Sequence, residues 1–102
     1  MIHVIARIQA TPGKRSELLE AFHELLPEVH AEAGCVAYAP AVDVDADLER
    51  FEPANDAVVT IVERWESVAH LRAHLVAAHM DRFREKHGHL VAGAELRLFE
   101  DA

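Results

Sequence analysis

The chain has 102 residues, of which 51% are apolar, so it is one domain able to bury a single core rather than a disordered segment. Its formal charge of −8, from 18 acidic and 10 basic side chains, argues against nucleic acid or an anionic membrane as partner, since both call for a basic face. No apolar run approaches a membrane span, and the N-terminal stretch, with Arg7 inside it, is not patterned as a signal peptide.

Residues 2–10, IHVIARIQA, alternate as a strand, with Ile2, Val4, Ala6 and Ile8 on one face and His3, Ile5, Arg7 and Gln9 on the other. Thr11-Pro12-Gly13 breaks it. From Lys14, Leu18, Phe22, Leu25, Leu26 and Val29 recur at helical spacing among glutamates. Pro27 falls inside this helix and predicts a kink or a break, because its ring clashes with the carbonyl of His23; Gly34 ends the helix.

Residues 35–44, CVAYAPAVDV, read as a second strand in which Pro40 requires an edge position or a bulge. The single Cys35 excludes an internal disulfide and fits a reducing compartment, which makes the cytoplasm the expected location; its side chain is expected to act as a small buried hydrophobe. Residues 43–56 form an acidic surface loop. Their D-x-D-x-D spacing is that of a calcium loop, but Leu48 stands where such a loop needs Gly and Ala54 where it needs a bidentate Glu.

Residues 57–66 are a third strand, and Ser67 is a good N-cap for a helix over 67–87 that is interrupted near Ala77-Ala78. Gly88 and Gly93 bracket a turn, and residues 94–100 alternate as a last strand, Leu96 and Leu98 against Arg97 and Phe99. The order β-α-β-β-α-β predicts an α+β, ferredoxin-like fold: a four-stranded antiparallel sheet with helices on one face. Strands 1, 3 and 4 carry apolar residues on both faces (Val4 and Ile5, Ile61 and Val62, Leu98 and Phe99). The face without helices therefore needs cover, and a second copy packed sheet to sheet supplies it, giving a homodimer.

The richest stretch for chemistry is 58–83. The only tryptophan, Trp65, ends a strand, and histidines follow at 70, 74 and 79. A large flat apolar ring near titratable groups suits a planar ligand, although the same pattern also describes a core Trp beside a solvated helix face. His70 and His74 have the i, i+4 spacing of a metal-binding pair, but no Glu–His motif or Cys ligand accompanies them, so no metal site is expected. The remaining histidines, His3, His23, His30, His70, His87 and His89, are expected at the surface.

Three segments carry a family resemblance: IHVIARIQATPGKRSELLEAF with its P-G-K turn at 12–14; E-x-G-C-x-x-Y at Glu32, Gly34, Cys35 and Tyr38; and E-x-W-x-S at Glu63, Trp65 and Ser67, followed by L-x-x-H-L and His79. In this order and spacing the chain resembles the antibiotic biosynthesis monooxygenase domain family, whose commonest bacterial members are small quinol monooxygenases. The resemblance spans nearly the whole chain. It implies a dimeric α+β barrel, pockets between each sheet and its helices, and, as in several members, oxygenation of anthrones or quinols by O₂ without metal, flavin or haem.

That chemistry needs a base, an aromatic wall and exclusion of water, because the deprotonated substrate itself hands an electron to O₂. On this reading Trp65, His74 and His79 are the catalytic candidates. Trp65 supplies the wall and an indole N–H for a developing oxyanion, and one of the two histidines takes the proton. Tyr38, Phe83 and Arg97 are the substrate-binding candidates. Two other readings stand beside it: a relative that isomerises or degrades a small carbonyl signal molecule, and a stress-associated dimeric binding protein without turnover.

Overall fold

A computed structural model describes residues 1–102. The chain runs β1 (Ile2–Ala10), α1 (Arg15–His30), β2 (Cys35–Val42), β3 (Val58–Trp65), α2 (Val68–Leu75), α3 (Ala78–His87) and β4 (Val91–Glu100), with a single 3₁₀ turn at Gly88–Leu90. The strands form one antiparallel sheet in the order β2-β3-β1-β4, the ferredoxin-like α+β arrangement. No helix is long and apolar enough to cross a membrane.

The register divides the sheet into two faces. Ile2, Val4 and Ala6 stand opposite Trp65, Glu63 and Ile61, and these side chains form the row beneath the helices. Helix α1 closes this face with Leu18, Ala21, Phe22, Leu25 and Val29, all buried. On the opposite face lie Ile5, Arg7 and Thr60, with Val62 41% and Phe99 49% exposed, so that face keeps an apolar surface of its own.

Several sequence expectations change in detail. Helix α1 continues through Pro27 to His30 without a break. Pro27 is exposed and lies in the last turn, where water can satisfy the carbonyl it leaves free. Pro40 sits on β2, an edge strand, and the β2–β3 register shifts between Cys35 and Ala37. The interruption expected near Ala77-Ala78 in the helix over 67–87 is present, one residue earlier, as a split at Val76 and Ala77 between two helices. The last strand begins at Val91 rather than 94, so Gly93 is a strand residue opposite Gln9, beside a register shift at Gln9 and Ala10. Asp43, at the head of the acidic loop, is held by Nη1 and Nη2 of Arg7 at 2.9 and 3.1 Å, and it accepts the Asn55 N–H at 2.9 Å.

Candidate active site

Strand alternation places Glu63 and Trp65 on the helix side of β3, and the β2 pairing sets Tyr38 opposite Glu63 and Cys35 opposite Trp65. Trp65 is completely buried, and its Nε1–H donates to Glu63 Oε1 at 3.0 Å. Ser67 caps α2 by accepting the His70 N–H at 3.2 Å, which starts the helix directly after the strand. Helix α2 then lays His74 over this row. Its ring lies 4.7 Å from Trp65 at 35°, and 5.5 Å from Tyr38 in an edge-on contact.

Glu32 joins this group from the turn after α1. Its Oε2 lies 2.7 Å from His74 Nδ1 and 2.9 Å from His79 Nε2. A carboxylate only accepts, so the ring protons sit on His74 Nδ1 and His79 Nε2. His74 is 2% exposed, yet no buried side-chain nitrogen or oxygen in the molecule lacks a partner. Its bond to protein runs through Nδ1, which leaves Nε2 without a protein partner and, since no fully buried polar atom lacks one, not wholly enclosed.

Burial sets the electrostatics. It pushes the Glu63 carboxyl up to about 7; the Trp65 N–H opposes that rise and the charge of Glu32 adds to it. The Tyr38 phenol is raised well above its ordinary value, first by burial and then by Glu63 and Glu32, and stays a neutral O–H. The Cys35 thiol rises for the same reasons, which removes it as a nucleophile at neutral pH.

The candidates named from sequence therefore separate. Trp65, His74, His79 and Tyr38 come together. The Trp65 N–H is not free for an oxyanion, because Glu63 already takes it. Phe83 packs on Phe22, with ring centroids 4.8 Å apart, and lines with His79 a groove of about 290 Å³ between α1 and α3. Arg97 pairs with Ile5, on the face of the sheet away from Trp65, and has no part in the cluster. His70 is half-buried rather than on the surface: its Nδ1 lies 2.8 Å from Ser67 Oγ, and its ring packs against Gly34. A concavity of about 930 Å³ lies under the acidic loop against Arg7, on the opposite face of the sheet from Trp65.

Two site residues had no role assigned from sequence. Glu63 was within reach of it, since a residue two before Trp65 on a strand shares its face. Glu32 lies 42 and 47 positions from its two histidines, and no local spacing announces it.

Residues 1–86 match the model of a family described as antibiotic biosynthesis monooxygenase. Over 87 residues the chain is 42% identical to the probable quinol monooxygenase YgiN of Escherichia coli (strain K12), covering 83% of each protein. Among solved structures it is similar to PA3566 from Pseudomonas aeruginosa, with a TM-score of 0.80 at 25% identity over 99% of this chain and 93% of that one. It also shares the fold of a conserved protein from Methanosarcina mazei Go1, with a TM-score of 0.82 at 20% identity over 99% and 92%.

Proposed function

Since the chain belongs to the antibiotic biosynthesis monooxygenase family, we propose that it oxidises a planar quinol or anthrone-like aromatic with O₂, using His74 as the base and no cofactor. The observation that carries this reading is the buried imidazole of His74, stacked on Trp65 and fixed through Nδ1 by Glu32, with Nε2 left as a base.

In this scheme Nε2 removes a proton from the acidic C–H or O–H of the substrate, and Glu32 stabilises the imidazolium that forms. The substrate anion gives one electron to O₂, and the resulting radical and superoxide combine as a peroxide. Loss of water leaves a carbonyl where an anthrone had a CH₂, or a hydroxyquinone where a quinol had a C–H. One O₂ is consumed and one water released, so the electrons balance without flavin or metal. Tyr38, held neutral by burial, and Trp65 form the walls; His79 shares Glu32 and keeps it in place. Substrate enters at the α2–α3 junction, where Leu75 and Val76 are exposed between the two helices.

The active unit is a cytoplasmic homodimer in which a second copy covers the face bearing Ile5, Val62 and Phe99. The polar groups around the ring, Glu32, Glu63 and His79, favour a second reading, isomerisation of a small carbonyl compound. O₂ uptake by chelator-treated protein with a naphthoquinol and with an anthrone, corrected for autoxidation, separates the two. Protein-dependent uptake supports oxygenation. Its absence on both substrates, with turnover of an α-hydroxycarbonyl compound, supports the second reading.

A further inference from the structure

The cluster holds more ligating power than a base and its anchor require. Glu32 Oε2, His74 Nδ1 and His79 Nε2 lie within 4.8 Å of one another and arrive from three elements, the turn after α1, α2 and α3. Two imidazoles and one carboxylate form a donor set that suits zinc-class ions and leaves a coordination position open, whereas magnesium and calcium prefer oxygen donors alone. The i, i+4 pair His70 and His74 does not make this site; the break between α2 and α3 turns His79 toward His74 instead.

We propose that Glu32, His74 and His79 bind one divalent transition-metal ion of the zinc class, and that the bound ion switches off the base. Two ring protons now lie between the donors, which sit 2.7 and 2.9 Å from the carboxylate oxygen. Around a tetrahedral ion with bonds of about 2.0–2.2 Å the donors stand roughly 3.3–3.6 Å apart, so each nitrogen draws back from the carboxylate oxygen by about half an ångström while the two nitrogens, now as much as 4.8 Å apart, close by about 1.3 Å.

Switching follows from proton accounting on one ring. Once Nδ1 of His74 gives its lone pair to the metal, the proton of the neutral imidazole resides on Nε2. The edge that faced the substrate as a base then becomes an N–H donor. This second half rests on the proposed role of His74; the binding site itself does not.

Metal-stripped protein titrated with Co²⁺ as a probe tests the site. Four-coordinate Co²⁺ should give intense visible d–d bands that saturate at one ion per chain and disappear on adding Zn²⁺. His79→Ala should abolish the bands and Glu32→Gln should weaken binding at least tenfold. His89→Ala, an exposed histidine outside the cluster, should change nothing. Circular dichroism of each stripped variant checks that it is folded. Absent bands in the wild type, or bands that survive in folded His79→Ala, overturn the site. Saturating Zn²⁺ should cut naphthoquinol-dependent O₂ uptake at least tenfold, with recovery on adding EDTA. Full uptake in the Zn²⁺-loaded protein overturns the switch. Because the Co²⁺ spectrum needs no substrate, the metal site stands or falls independently of the monooxygenase reading.

Discussion

His74 Nδ1 lies 2.7 Å from Glu32 Oε2 across 42 positions of sequence, and this one contact decides which nitrogen of the imidazole is free. It also ties α2 to the turn that ends α1. Replacing Glu32 by Gln keeps the size of the side chain but removes the charge that steadies the imidazolium. Steady-state kinetics with a naphthoquinol should show kcat falling by roughly 10–100-fold with little change in KM, the loss typical when the partner of a functional His is removed.

Glu63 gives the fold a pH dependence whose sign is fixed by burial. Its carboxyl is raised from an ordinary value of 4.5 to about 7, so the folded chain holds a proton that the unfolded chain releases between those values. Stability is therefore lost as pH rises from about 4.5 to 7, by on the order of 3 kcal/mol from this group alone. Glu63→Gln keeps an acceptor for the Trp65 N–H and cannot ionise. Urea unfolding should show the variant gaining on the wild type between pH 5 and pH 8; an unchanged difference between the two proteins would contradict this assignment.

Gly34 and Gly13 both adopt positive φ, +79° and +77°, yet their surroundings differ. A Cβ at Gly34 would stand 2.7 Å from His70 Cβ and closer still to its ring, whereas nothing lies within 4 Å of one at Gly13. Thermal unfolding should report about 1 kcal/mol for Gly13→Ala, from backbone strain alone. Gly34→Ala should cost about 3 kcal/mol or more, since a rigid ring must also move.

The Arg7–Asp43 pair anchors the acidic loop to the sheet. Asp43 sits below its ordinary carboxylate value, first because Arg7 donates hydrogen bonds to it and then because the Asn55 N–H does. A lowered value means that the contribution is present above about 3.8 and is lost as pH falls below it. Arg7 is 41% exposed, so Asp43→Ala should cost only about 1 kcal/mol near neutral pH. Limited proteolysis should cut within residues 44–54 faster in the variant than in the wild type.

The strands, the edge position of Pro40 and the split of the second helix were legible because each rests on a local rule: alternation, a missing donor, or a weak apolar pattern. The break allowed for at Pro27 does not occur because its cost depends on position in the helix, and the last exposed turn tolerates it. Trp65 and His74 were visible as candidates, but the partner of the indole N–H was not, since hydrogen bonding depends on burial as well as spacing. Arg97 was assigned without a register, and its pairing with Ile5 carries it to the far face. Glu32 required the tertiary fold itself.

The most direct test of the account is O₂ uptake by chelator-treated His74→Ala with a naphthoquinol, with and without added imidazole. The account predicts a loss of roughly 10²–10⁴-fold from removal of the base, and partial recovery as imidazole fills the space left beside Trp65. Uptake equal to that of the wild type would place the base elsewhere and contradict the central claim.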